Sequence, residues 1–190
     1  LTAILTVPPA LEPVSLAQAH VQLRVSHTYE DDLIERLIRA AREQVETFTR
    51  RALIHQEWRL LLDELPQDRL IRLPVAPVVQ VLQIYTYDLD GNQYQVPQTQ
   101  FQVALAGNPA RLRFKAGAIG PLRDLNGIEV DFKAGYGAAA TSVPAGLQTA
   151  ILMLVGFWYE RRTMLEEQRL TGLMPHGFEA ALSPYKVLRI

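Results

Sequence analysis

Phe132-Lys133-Ala134-Gly135-Tyr136-Gly137, then Val143-Pro144 and an uncharged run ending in Trp158-Tyr159-Glu160-Arg161-Arg162, decide how this chain folds. The residues before Gly135 read as the end of a strand, and the glycines as a loop that bends the backbone out of a sheet. Pro144 reads as a first-turn helix residue, where its missing N–H costs nothing. Leu147, Ile151, Leu154, Val155 and Trp158 then line one helical stripe. Ala150, Met153 and Phe157 widen that stripe beyond what a surface helix needs. Trp158 and Leu154 are expected in the core. The excess apolar surface predicts a protein interface built from Met153, Phe157 and, further on, Met164.

Working outward, Leu53 to Gly137 is strand-like, with β-branched and aromatic residues interrupted by turn chemistry. Strands are expected at 58–63, 70–74, 78–87, 93–96, 101–105, 111–115 and 128–132. Asp90-Gly91 supplies the positive φ of a hairpin between the third and fourth of these. Upstream the texture is helical. Ser15 with Gln18 forms a capping box, with Leu16, Ala19, His20 and Leu23 along one face. Thr28 or a neighbour caps a longer helix whose Glu30, Asp31 and Asp32 complement its positive end. Leu33, Ile34, Leu37, Ile38, Ala41, Val45 and Phe48 keep the helical period. Asp32 with Arg36, Glu35 with Arg39 and Glu46 with Arg50 are i,i+4 pairs assigned to its outer face. Residues 1–14, with Pro8, Pro9 and Pro13, read as an extended arm rather than core. Phe178–Leu182 reads as a last short helix.

The segment Ser183 to Ile190 carries Tyr185, Val187, Leu188 and Ile190 around only Lys186 and Arg189. A solvated tail is normally more polar. Pro184 blocks helix continuation, so the tail should leave the body extended or as a new element and dock on a partner through Pro184, Tyr185, Val187, Leu188 and Ile190, with packing against its own helices as the alternative.

Bulk composition narrows the function classes. Across 190 residues the apolar share is 48% and the charged share 21%, as in ordinary globular proteins. Nineteen Lys plus Arg against 20 Asp plus Glu give a net charge of -1, hence no overall pull on nucleic acid. Without cysteine there is no disulfide or thiolate metal site. The amino terminus has no signal-peptide pattern. The densest apolar run, Ala150 to Tyr159, rises only ~15 Å as a helix, half of the ~30 Å a bilayer requires, so a soluble chain is expected.

No catalytic constellation emerges. Gly135-Tyr136-Gly137-Ala138-Ala139-Ala140 matches G-x-G-x-x-A after a strand, but a dinucleotide fingerprint must open directly into a helix, and Pro144 delays the helix start. Asp88-Leu89-Asp90-Gly91 lacks the Glu of an EF-hand, since Thr99 holds the twelfth position. His20, His27, His55 and His176 are scattered without ligand spacing. Arg161, Arg162 and Arg169 could meet phosphate, yet Glu160, Glu166 and Glu167 dilute them. No enzyme, metal or cofactor is expected. A DNA-packaging accessory factor, or a small cofactor-binding domain using the Gly135–Ala140 loop, is the alternative.

The order of segments resembles a known family. It runs from the Pro-Pro arm through Pro13-Val14-Ser15-Leu16-Ala17-Gln18-Ala19, Asp31-Asp32-Leu33-Ile34 and Ala40-Ala41-Arg42 to Thr49-Arg50-Arg51-Ala52-Leu53-Ile54. Ile71-Arg72-Leu73-Pro74, the 132–137 stretch, Val143-Pro144, Ala150-Ile151-Leu152, Trp158 to Arg162 and Pro184-Tyr185 complete it. This resembles the head–tail connector (adaptor) proteins of tailed bacteriophages and of phage-derived gene transfer agents. The resemblance implies an α+β fold, a small helical bundle core with a β-rich domain inserted between its second and third main helices. The corresponding segments are the arm 1–14, the bundle 15–50 with 143–182, the inserted domain 53–137 and the tail 183–190. It also implies a ring in the virion neck, commonly of twelve copies, beneath the portal protein. Such a ring carries a downstream neck or tail protein and lets DNA pass without sequence-specific binding.

Overall fold

The computed structural model describes residues 1–161 and 174–187. The chain divides into two compact units. One comprises Leu1–Pro9 and His55–Tyr136, joined by Val187; the other comprises Ala10–Ile54 and Gly137–Lys186.

In the helical unit, α1 (Leu16–Leu23) and α2 (Asp31–Thr49) precede the β region, and α3 (Ala145–Glu160) and α4 (Phe178–Leu182) follow it. Ser15 Oγ accepts the Gln18 N–H while Gln18 returns to the Ser15 N–H, so the capping box forms as expected. The second helix starts at Asp31 behind Glu30, which caps with no side-chain bond; Thr28 contributes its carbonyl instead. The periodic residues Ile34, Leu37, Ile38, Ala41 and Val45 are buried, and α2 packs on α3. Both α1 and α2 stop on an arginine in the left-handed region, Arg24 and Arg50, whose N–H groups close back onto the last turn.

The second unit is built from antiparallel strands. β1 (Thr2–Val7), β2 (Gln56–Leu62), β4 (Val78–Tyr87), β5 (Gln93–Gln95) and β8 (Ile128–Ala134) form one sheet in the order β1-β2-β8-β4-β5. β3 (Leu70–Arg72), β6 (Phe101–Ala104) and β7 (Arg111–Phe114) form another in the order β3-β7-β6. Each sheet hides one face: Leu60, Leu62, Ile84, Ile128, Val130 and Phe132 in the first, Ile71, Leu112 and Phe114 in the second. The fold is therefore α+β, with the strand-rich region lying between α2 and α3 in sequence.

The amino-terminal segment departs from the sequence reading. It is extended, but residues Thr2–Val7 are an edge strand hydrogen-bonded along β2 rather than a free arm. At the other boundary, Gly135 has φ of 132°, a conformation that a side chain would strain. A Cβ on Gly137 would lie 2.3 Å from Ser142 Oγ, so the bend needs both glycines.

Candidate assembly surfaces

The outer face of the five-stranded sheet carries an organised polar ladder. Register places Arg59, Asp131 and Gln83 side by side across β2, β8 and β4. Arg59 donates from Nε (2.7 Å) and Nη2 (2.9 Å) to the two Asp131 oxygens, and its Nη1 lies 3.5 Å from Glu129. Gln83 donates to Asp131 at 3.2 Å and accepts from Tyr85 at 2.8 Å. Burial pushes the Asp131 carboxyl up, but the hydrogen bonds from Arg59 and Gln83 and the guanidinium charge outweigh it, leaving it below the ordinary range. Burial and a bond to Glu129 raise Tyr87, whose ring carries the Arg123 guanidinium at 3.8 Å. Every polar group in this ladder faces a partner, which suits a rigid surface better than proton transfer.

Linkage gives this ladder a testable signature. A carboxyl depressed by folding stabilises the fold above its unfolded value, about 3.9, and loses that contribution as pH falls through the folded value. Urea midpoints taken from pH 7 downward should therefore show D131N less stable than the parent at neutral pH. The gap should close below about pH 4. A gap that persists at low pH would mean that Asp131 acts through packing and not through its charge.

The wide helix is more fully covered than the sequence suggested. Leu147, Ala150, Ile151, Leu154, Val155, Trp158 and Tyr159 of α3 are buried. Met153 and Phe157 are half-buried, and no residue of α3 is among the exposed large hydrophobic groups. The excess width is absorbed because α1, α2 and α4 all pack against α3, while Arg161 lays its guanidinium 3.9 Å from the Phe157 ring centre. Met164 lies outside the described residues. Exposed apolar side chains fall elsewhere, among them Ile4, Leu5 and Val7 on β1, Val79 and Leu82 on β4, and Val21 and Tyr29. Reading 1–14 as an arm concealed the first group.

The carboxy-terminal segment does not leave extended. Ser183–Tyr185 forms a 3₁₀ turn directly after α4. Tyr185 lies across Gly146 in the first turn of α3, where a Cβ would meet the hydroxyl, and its carbonyl accepts from Arg51 Nε. Lys186 sits 4.7 Å from the Phe48 ring centre. Pro184 is exposed, Tyr185 half-buried and Val187 buried. Ser183 to Lys186 thus belong to the helical unit, where Tyr185 and Lys186 fold back on its helices. The glycine at 146 is the signal that could have revealed this docking groove. Leu188 and Ile190 lie outside the described residues.

The remaining candidates stay apart. His20 faces Asp31 at 2.7 Å, and His27 stacks on Tyr29 at 3.7 Å. Burial and the charge of Lys133 lower His55, while His176 is exposed. Among the described residues no group of three His, Asp or Glu side chains is arranged to hold a metal, and no helix is long and apolar enough to cross a membrane. After Gly135–Ala140 the chain makes a 3₁₀ turn at Ala140–Ser142, and α3 begins only at Ala145, so the loop presents no helix terminus to a pyrophosphate. Asp88 closes its own hairpin, accepting from the N–H groups of Asp90 (3.0 Å) and Asn92 (2.8 Å).

A basic face escaped the sequence reading. Arg111 and Arg113 of β7 and Arg72 of β3 project from the exposed side of the three-stranded sheet. The alternation Arg111-Leu112-Arg113-Phe114-Lys115 was its visible signal.

Residues 13–102 match the phage gp6-like head–tail connector protein family. Among solved structures, a chain from the neck of an empty GTA particle, computed with C6 symmetry, is similar over 100% of this chain and 97% of its own, with 26% identity and a TM-score of 0.81. A chain of the native gene transfer agent (GTA) virion matches over 100% and 97%, with 24% identity and a TM-score of 0.78. A chain from the neck of the native GTA particle, computed with C12 symmetry, matches over 98% and 97%, with 26% identity and a TM-score of 0.75. No curated protein matches. The family segment runs through both amino-terminal helices into the second sheet, and the fold is shared with the GTA neck chains over the full length: the chain is similar to the phage gp6-like head–tail connector proteins and to chains of the GTA neck.

Proposed function

We propose that this chain is a head–tail connector and works as a ring in the neck of a tailed particle, a phage or a gene transfer agent. The ring sits beneath the portal protein, extends the DNA channel and offers a platform to the next neck or tail protein. The observation that supports this reading is the near-complete likeness to neck chains of GTA particles computed with C6 and C12 symmetry. Cyclic symmetry requires heterologous contacts, in which one surface of a copy meets a different surface of its neighbour. Exposed apolar groups on several separate elements, among them Ile4, Leu5 and Val7 on β1, Val79 and Leu82 on β4 and Val21 on α1, offer different surfaces for such contacts. Met153, Phe157 and Met164, and the tail residues Pro184, Tyr185, Val187, Leu188 and Ile190, are proposed as partner-facing positions that complete the contact. The role is structural and needs no chemistry.

Light scattering after size-exclusion chromatography, on the chain alone and mixed with its portal ring, tests this directly. A portal-bound ring of connector copies, visible by electron microscopy, is expected. A chain that remains monomeric and unbound in the presence of portal would overturn the reading.

A further inference from the structure

We propose that the exposed face of the three-stranded sheet binds the phosphate backbone of duplex DNA, through Arg72, Arg111 and Arg113. The sheet and its adjoining residues, 69–72, 98–104 and 111–115, carry Arg69, Arg72, Arg111, Arg113 and Lys115 and no carboxylate. In a chain whose net charge is -1, that local segregation is the electrostatic footprint of a polyanion site. The nearest acid in sequence, Asp68, is turned to its own turn, accepting the Leu70 N–H at 3.1 Å.

Register sharpens the case. Arg72 lies directly opposite Arg111, while Arg113 is opposite both Leu70 and Gln102. Like charges facing each other across a sheet destabilise it. Here no acid from the described residues offsets them: Arg72, Arg111 and Arg113 form no ion pair there. By contrast, Arg42 and Arg59 are each paired with carboxylates. Arg111 and Arg113 border a shallow hollow of about 580 Å³ lined also by Leu70, Gln102, Val103 and Ala104, and Arg72 stands beside it opposite Arg111. Along β7 the two arginines stand two strand rises apart, about 6.8 Å. Gln102 adds an uncharged donor beside them. Guanidinium groups fixed on a rigid sheet, with no exposed aromatic anchor and only Leu70, Val103 and Ala104 as apolar neighbours, suit repeated phosphates better than a protein partner, whose contact needs a larger apolar centre. Such contacts are sequence-independent and salt-labile, so they hold a duplex in place while letting it slide.

The choice of DNA as the polyanion rests on the connector reading, whereas the arginine face itself does not. Fluorescence anisotropy with a labelled duplex, titrated from about 50 to 200 mM NaCl, measures the interaction on the full chain. The triple variant R72Q/R111Q/R113Q should bind roughly tenfold more weakly at the low-salt end, with the salt slope reduced by about 2 to 3. R24Q/R36Q/R39Q, which removes the same charge from exposed positions of the helical unit, should stay within about twofold of the parent. R111K/R113K should keep most of the affinity, because a phosphate needs the charge more than the fork. Circular dichroism checks folding; should the triple variant not fold, R113Q alone should still lower the slope by about one. Equal losses in the triple variant and the helix control, or none in either, would overturn the proposal. So would polyglutamate competing as well as unlabelled duplex, which would assign the face to an acidic protein. Portal assembly of the arginine variant is measured in parallel and should be unchanged. Absence of assembly in every variant with DNA affinity intact would overturn the ring and leave the arginine site standing.

Discussion

Replacing Trp158 with alanine should lower the stability of the isolated chain by about 3–5 kcal/mol, read as a shift in the urea midpoint at unchanged slope. The side chain is only 3% exposed, on the face of α3 that also buries Leu154, Ile151 and Leu147. Three helices pack against α3, so the indole's space cannot collapse by moving one neighbour. An alanine there loses both the transfer energy of the ring and the packing of the cavity lining. Were Trp158 instead an anchor for a neighbouring copy, the monomer would fold nearly as before and only association would suffer. A loss under about 1 kcal/mol with failed ring assembly would therefore reverse the assignment.

The same helix supplies the contrast. Met153 and Phe157 are half-buried, and Phe157 is shielded by Arg161. Their substitution by serine should cost the monomer less than Trp158→Ala, while weakening portal-templated assembly. Unchanged stability together with unchanged assembly would remove both from the interface.

Sequence patterns exposed the elements that obey one local rule each. Ser15 and Gln18 form their box, the α2 periodicity lands on buried side chains, and Asp90-Gly91 turns a hairpin between β4 and β5. β1 was harder because its identity is relational. Thr2-Ala3-Ile4-Leu5-Thr6-Val7 beside two prolines is extended in either case, and only pairing with β2 separates strand from arm. Arg72 is equally mute alone; its opposition to Arg111 exists only in the register of β3 with β7. The seat of Tyr185 was not legible because Gly146, far away in sequence, makes the space that its ring occupies. Charge pairing along α2 was not legible from spacing: among the described residues Asp32 with Arg36, Glu35 with Arg39 and Glu46 with Arg50 form no ion pair. Spacing offered Arg50 for Glu46, while the fold gives Glu46 to Arg42 and to the Leu53 N–H.

That last substitution of partners leads to the second large effect, at Arg42. Its side chain is only 7% exposed and touches three carboxylates: Glu12 at 2.7 Å, Glu46 at 2.7 Å and Glu43 at 3.3 Å. Burial favours the neutral form, but Glu46 and Glu12 together overcome it, so folding binds the Arg42 proton more tightly than water does. Removing the guanidinium takes from Glu46, itself 14% exposed, an ion-pair partner at 2.7 Å. Arg42→Ala should accordingly destabilise the chain by about 3–5 kcal/mol. Arg42→Met, which keeps the aliphatic stem, should recover the packing share but not the electrostatic one. Adding E46Q to Arg42→Met should restore part of the remainder, and the double-mutant cycle isolates the pair from the stem. Glu12 stands just before the α1 cap, and Glu46 holds the Leu53 N–H where the chain leaves the helical unit. One buried guanidinium thus fixes both the entry at Ala10 and the exit at Ile54, and the cost should appear as loss of the whole helical unit, not as fraying of α2. A cost below about 1 kcal/mol would show the cluster to be a solvated surface network of little consequence.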